Sequence, residues 1–201
     1  MFIDLVGIDG CGKSTIAQAL QKLYEQQGKE CIVFHGYVPR TNMYLLRDIC
    51  IKAGFCENDS TSVNSLGIAA SLMDIFCNVT EHIRPNDRKI YIAEKYIKDS
   101  VVYIPLLGGN PKLPLVYEKN MPTPDFRFIL DVDPNIAQER IKKRSFATGV
   151  KIKEKETYSI MCKARSAFLS FSNEQNTFII DANKSVEKIA LEILLITSQC
   201  T

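Results

Sequence analysis

Residues 6–15 read VGIDGCGKST, and they restrict the chain more than any other stretch of it. Gly7, Gly12, Lys13 and Ser14 fill the spacing G-x-x-x-x-G-K-[ST]. Glycines let the backbone curl until successive N–H groups face one point, where phosphate oxygens would sit. A helix opening at the lysine adds the positive end of its dipole. Lys13 would reach the β- and γ-phosphates of a nucleoside triphosphate, and the Ser14 hydroxyl would join the shell of a Mg²⁺ ion. The same spacing arises by chance in glycine-rich sequence, so its setting decides. Here it follows an apolar run, FIDLV at residues 2–6, and opens a segment with Ile16, Leu20, Leu23 and Tyr24 at helical spacing. That segment stops at Gly28. Strand, glycine loop and helix in this order are the context in which the motif binds nucleotide. Gly7, Asp9, Gly10, Cys11, Gly12, Lys13, Ser14 and Thr15 are therefore the expected nucleotide-binding residues, with ATP and Mg²⁺ as the expected ligands.

Downstream, short β-rich runs alternate with long helical ones. CIVFH (31–35), KIYIAE (89–94), FRFILDV (126–132) and TFIID (177–181) read as strands. DPNIAQERIKKR opens with Asp133 as a cap and Pro134 at the first helical position. Near the end, Val186, Ile189, Ala190, Ile193 and Leu194 share one helical face. Alternation at this length predicts right-handed βαβ units. The expected fold is a three-layer α/β/α P-loop NTPase domain with a five-stranded parallel sheet, spanning residues 1–201. LLGGNPKLP (106–114) reads as a loop inside it.

Composition narrows the partners. A net charge of +2 over 201 residues implies no general affinity for nucleic acid or anionic membrane, the cluster RIKKR (140–144) being a local exception. No apolar run approaches the roughly 20 residues that span a bilayer, and MFIDLVGID lacks the layout of a signal peptide. Seven cysteines without a CxxC pair suit a reducing compartment, so a cytoplasmic location is expected. His35 and His82 are too few to favour a histidine metal site, and Cys11 reads as a small residue that fits the loop.

A P-loop alone does not separate kinases from GTPases or motor ATPases. The guanine-reading N-K-x-D pattern is absent, and a chain this compact favours a small-molecule kinase. GIDGCGKST resembles the loop of the thymidylate kinase family, G-x-D-G-x-G-K-S-T. EKYIKDSVVY (94–103) is similar to that family's D-R-Y-x-x-S-S-x-A-Y segment. PDFRFILDVDPNIAQERIKKR (124–144) resembles its P-D-x-x-x-x-L-D-V-D-P-x-x-A-x-x-R-I-x-x-R run, and KARSAF and IIDANKSVEKI look like its last two landmarks. The resemblance runs through the whole chain in order. It implies the nucleoside monophosphate kinase form of the fold, transfer of the ATP γ-phosphoryl group to thymidylate, and a homodimer built through helices.

Carried over residue by residue, the resemblance sets Asp9 near the acceptor sugar and the metal. Glu94, where the family has Asp, would hold a magnesium-bound water. Lys95, where it has Arg, would touch the acceptor phosphate, and Tyr103 falls on the acceptor side. Asp131 and Asp133 are better explained by strand-end hydrogen bonding and a helix cap than by catalysis. Some members place an arginine inside the phosphate loop. Here that position is Cys11, so the charge should come from a lid at about 144–156, with Arg144, Lys151, Lys153 and Lys155 as candidates and Arg144 assigned to catalysis.

The acceptor pocket departs from the pattern. The family's F-x-x-x-R, with Phe stacked on thymine, falls here on Ser71 and Ile75. A charge-assisted bond to phosphate is worth roughly 1.5–3 kcal/mol and an aromatic stack roughly 1–3 kcal/mol. Arg40, Arg47 or Phe76 could supply these from nearby positions. Three readings of the acceptor side follow: thymidylate, another small acceptor on the same scaffold, or a nucleotide-binding protein without turnover.

Overall fold

The computed structural model describes residues 1–35, 52, 65–83 and 88–199. Its elements run β1 (Phe2–Val6), α1 (Lys13–Gln26), β2 (Cys31–His35), α2 (Ser65–His82), β3 (Ile90–Glu94) and α3 (Ile97–Leu106). There follow α4 (Lys112–Glu118), β4 (Phe126–Asp131), α5 (Pro134–Thr148), α6 (Tyr158–Leu169), β5 (Thr177–Asp181) and α7 (Val186–Gln199). Single 3₁₀ turns stand at Glu154–Glu156 and Ser170–Asn173. The strands form one parallel sheet in the order β2-β3-β1-β4-β5, the expected α/β architecture with β1 at its centre. The chain folds as two compact units. One holds residues 1–34, 88–94 and 124–201, and the other holds 35–87 and 95–123.

Every residue of β1 is buried, which explains its apolar run. Asp4 is the exception in kind. Its carboxylate lies wholly inside the sheet, and Arg127 stands opposite it in register on β4. Arg127 donates from Nε to Asp4 Oδ2 at 3.0 Å and from Nη1 to Glu174 Oε2 at 2.6 Å. Two charges are thus tolerated in the core because each has a hydrogen-bonded partner. On one face of the sheet, α1 buries Ile16, Ala17, Leu20 and Tyr24 and packs against α7, which buries Ile189, Ala190, Ile193 and Leu194. The Tyr24 and Thr197 hydroxyls close that contact with a 2.7 Å hydrogen bond, and burial pushes the Tyr24 phenol above its ordinary value.

In the second unit, Leu72, Ile75 and Val79 lie buried on α2 at helical spacing. There α3 packs against both α2 and α4, and Lys98 Nζ meets Glu118 Oε1 at 2.7 Å. Tyr96 donates its hydroxyl to the Pro122 carbonyl at 2.8 Å.

One boundary corrects the sequence reading. The loop expected over 106–114 is interrupted by α4, which begins at Lys112. Asn110 accepts from the Lys112 N–H at 3.0 Å just ahead of it, a local start signal hidden inside a turn-like composition. The lid expected to begin at Arg144 is helical through Thr148, because α5 continues until Gly149 adopts φ 70° and ends it. At the other end of α5, Asp133 accepts from the Asn135 N–H at 2.8 Å, with Pro134 in the first turn as expected.

Replacing Arg127 with Met should strand the Asp4 carboxylate in the core. We expect a loss of about 3–5 kcal/mol, read from urea unfolding, with the midpoint falling and the m-value unchanged.

Candidate nucleotide-binding site

The site is built where β1 ends. Gly7 follows its last residue and adopts φ 142°. A side chain there would begin 2.7 Å from the Leu130 carbonyl oxygen of β4. Gly10, at φ 85°, is held more tightly still: a methyl group would begin 2.6 Å from the Ala137 carbonyl oxygen of α5. The loop therefore lies backbone against backbone between a strand and a helix. Gly12 then caps α1 with no side-chain hydrogen bond to its first turn, which leaves the helix's positive end for a ligand anion.

Lys13 opens α1, and its ammonium folds back over the loop. It donates to the Gly7 carbonyl at 2.5 Å and to the Ile8 carbonyl at 3.1 Å, with Cys11 Sγ at 3.8 Å. Cys11 is buried beneath it, a small side chain filling the inside of the turn. Ser14 donates from Oγ to Glu94 Oε2. Glu94 ends β3, where Leu5 of β1 pairs with it in register, so sheet topology brings the carboxylate to the hydroxyl across 80 residues of sequence. Thr15 is exposed in the first turn of α1. Asp9 is buried, and Lys155 Nζ lies 2.7 Å from its Oδ2.

Residues that sequence reasoning had not singled out brace this arrangement. Arg140 of α5 donates to the Gly10 carbonyl at 3.3 Å and to the Ala182 carbonyl at 3.2 Å, tying the loop to the turn after β5. It sits in the R-I-x-x-R run, but only the fold reveals which arginine faces inward. Arg165 of α6 clamps Asp131 with two bonds, 2.6 Å and 2.8 Å, which hold its guanidinium above its ordinary pKa. Asp131 is thereby engaged at the strand end, in keeping with the sequence reading. Arg144, expected to be catalytic, donates to Glu156 Oε1 at 3.0 Å. Lys151 and Lys153 are exposed.

Of the residues expected to meet the acceptor, Lys95 stands directly after β3 at φ 61°, an uncommon conformation for a residue with a side chain. Tyr103 is buried on α3. Ile75 has no exposed surface, so any contribution it makes to a pocket comes through packing. Phe76 is 36% exposed. Ser71 lies within α2, but its side chain is outside the described residues, as are Arg40 and Arg47.

Hard oxygen donors suit Mg²⁺, and the adjacent Ser14 hydroxyl and Glu94 carboxylate form such a pair at the foot of the loop. Among the described residues no helix is long and apolar enough to cross a membrane.

The thymidylate kinase family model matches residues 5–193, nearly the whole chain. The chain belongs to the thymidylate kinase family. Its relatives include a "probable thymidylate kinase" of Pyrobaculum aerophilum, 30% identical over 96% of this chain and 93% of that one. A "probable thymidylate kinase" of Archaeoglobus fulgidus is 29% identical over 96% and 92%. A "thymidylate kinase" of Fervidobacterium nodosum is 29% identical over 96% of both chains. For a thymidylate kinase family member the loop geometry has a direct consequence at Gly10. Gly10→Ala should cost about 1–3 kcal/mol in stability and abolish nucleotide binding in calorimetry. Gly28→Ala, where an added methyl meets nothing within 4 Å at φ 74°, should leave binding intact.

Proposed function

We infer that this protein is an ATP-dependent phosphotransferase that converts thymidylate (dTMP) to dTDP. The observation that carries the reading is the family match over residues 5–193 on a chain whose phosphate loop is folded with Lys13 above it and Ser14 joined to Glu94. The donor triphosphate would lie along the loop, its phosphate oxygens facing the first turn of α1 and the Lys13 ammonium. An acceptor phosphate oxygen forms a bond to the γ-phosphorus, the bond from that phosphorus to the β–γ bridging oxygen breaks, and ADP leaves. Little covalent chemistry is asked of the protein, so positioning and charge carry the rate. Lys13 would stabilise the negative charge that builds on the leaving oxygens. Ser14 and Glu94 would hold Mg²⁺, which when bound offsets charge on the β- and γ-oxygens.

On the acceptor side, we assign Lys95 to the acceptor phosphate and Tyr103 to the acceptor pocket, with Arg40, Arg47 and Ser71 as further contacts and Ile75 as packing behind them. The left-handed backbone at Lys95 supports this, because strain of that kind is retained where the surroundings over-determine it, often at functional sites. Asp9 belongs beside the acceptor sugar and the metal. Arg144 serves the lid, through Glu156. Half-exposed Met73 and Phe76 on α2 support a homodimer built through that helix, and a cytoplasmic location suits free thiols at Cys11, Cys31, Cys77 and Cys162.

ADP release from ATP and Mg²⁺ across a panel of nucleoside monophosphates tests the reading. Turnover should be fastest with dTMP, and Lys13→Ala should lower kcat by at least about 10²-fold while the protein stays folded. Turnover confined to another acceptor would overturn the thymidylate assignment, and ATP binding with none would overturn the kinase assignment.

A further inference from the structure

Glu156 is buried, 2% exposed, although it stands in a short 3₁₀ turn beside solvated lysines. Its carboxylate accepts from Arg144 Nη2 at 3.0 Å and from the Lys153 backbone N–H at 2.6 Å. Its own carbonyl accepts from Gln138 Nε2 at 3.2 Å. Arg144 and Gln138 both belong to α5, the helix whose backbone lies against Gly10 and whose Arg140 bonds the Gly10 carbonyl. The turn is thereby tied to the same helix that braces the phosphate loop. The residue before Glu156 is Lys155, whose ammonium enters the loop and meets Asp9.

Asp9 places a buried negative charge inside a loop that must receive a polyphosphate. Lys155 pairs with that charge, so Asp9 is offset by a cation other than Lys13. Lysine is a long, flexible side chain, and holding it at one point has an entropic cost unless its backbone is already fixed. A buried acid kept only for stability is a poor choice, since apolar residues of similar volume often serve better. We propose that Glu156 is a positioning residue: by closing the 154–156 turn onto Arg144 it keeps the Lys155 ammonium directed into the phosphate-binding loop. For its activity readout this rests on the kinase reading above. Its binding readout does not.

The test is a double-mutant cycle in the full chain with Glu156→Gln, Lys155→Met and both together, read by calorimetry with inorganic tripolyphosphate and by steady-state turnover. Each single variant should weaken tripolyphosphate binding roughly 10- to 100-fold, and the double should lose no more than Lys155→Met alone. In turnover, KM for ATP should rise in Glu156→Gln but rise no further when Lys155→Met is already present, a dependence that general loosening of the fold would not give. Additive losses, or a further rise in KM for ATP from Glu156→Gln on the Lys155→Met background, would overturn the proposal. If Glu156→Gln does not fold, Arg144→Met in the same cycle removes the other half of the pair and decides by the same criterion. Absence of turnover in the unmodified protein would sink the kinase reading, while the tripolyphosphate cycle would still decide the role of Glu156.

Discussion

The close approach of Gly10 to the Ala137 carbonyl is the contact on which the site depends. It leaves no room for a side chain on the loop, and it makes α5 the loop's outer wall. Once α5 is fixed there, three of its residues fall into place at helical spacing. Arg140 reaches two carbonyls, one on the loop and one on the turn after β5. Gln138 and Arg144 point toward the 3₁₀ turn and hold Glu156. The Asp133 cap and Pro134 therefore do more than start a helix: they set the phase from which these three side chains depart.

Each of these charged groups around the loop has a hydrogen-bonded or ionic partner. Glu94 is taken up by Ser14, Asp9 by Lys155, and Lys13 by backbone carbonyls. Backbone carbonyls are neutral, so phosphate oxygens would form stronger, charge-assisted bonds to Lys13 than these carbonyls do. Cys11 contributes by being small and uncharged. An arginine in its place would bring a further cation beneath Lys13, in a position that is already buried.

Much of this was legible in the sequence because it is local. The loop motif, the capped start of α5, the apolar strands and the faces of α1 and α7 each rest on residues within a few positions of one another. What escaped is what sheet topology and long side chains bring together. Asp4 and Arg127 lie 123 residues apart and meet only because β1 and β4 are neighbours in register. Glu156 reads as one more acid in a charged run, KIKEKE, and nothing in that composition marks it as buried. The α4 helix was missed for the opposite reason, since Gly108, Gly109 and Pro111 announce a turn so strongly that the short helix beyond them is masked. Ile75, aligned with a binding position of the pattern, has no exposed surface, and its helical spacing with Leu72 and Val79 explains that burial by packing.

The junction after β3 joins these themes. Glu94 must end the strand with its carboxylate at the foot of the loop, and the chain must then turn at once, because α3 begins at Ile97. Lys95 accomplishes that turn at φ 61°, a conformation that glycine would adopt without strain. Retaining a lysine there costs backbone energy of order 1 kcal/mol, and the turn geometry alone gives no reason for it. Strain of this kind is retained where the surroundings over-determine a residue, often at functional sites, so the backbone at Lys95 supports the role proposed for it on the acceptor phosphate.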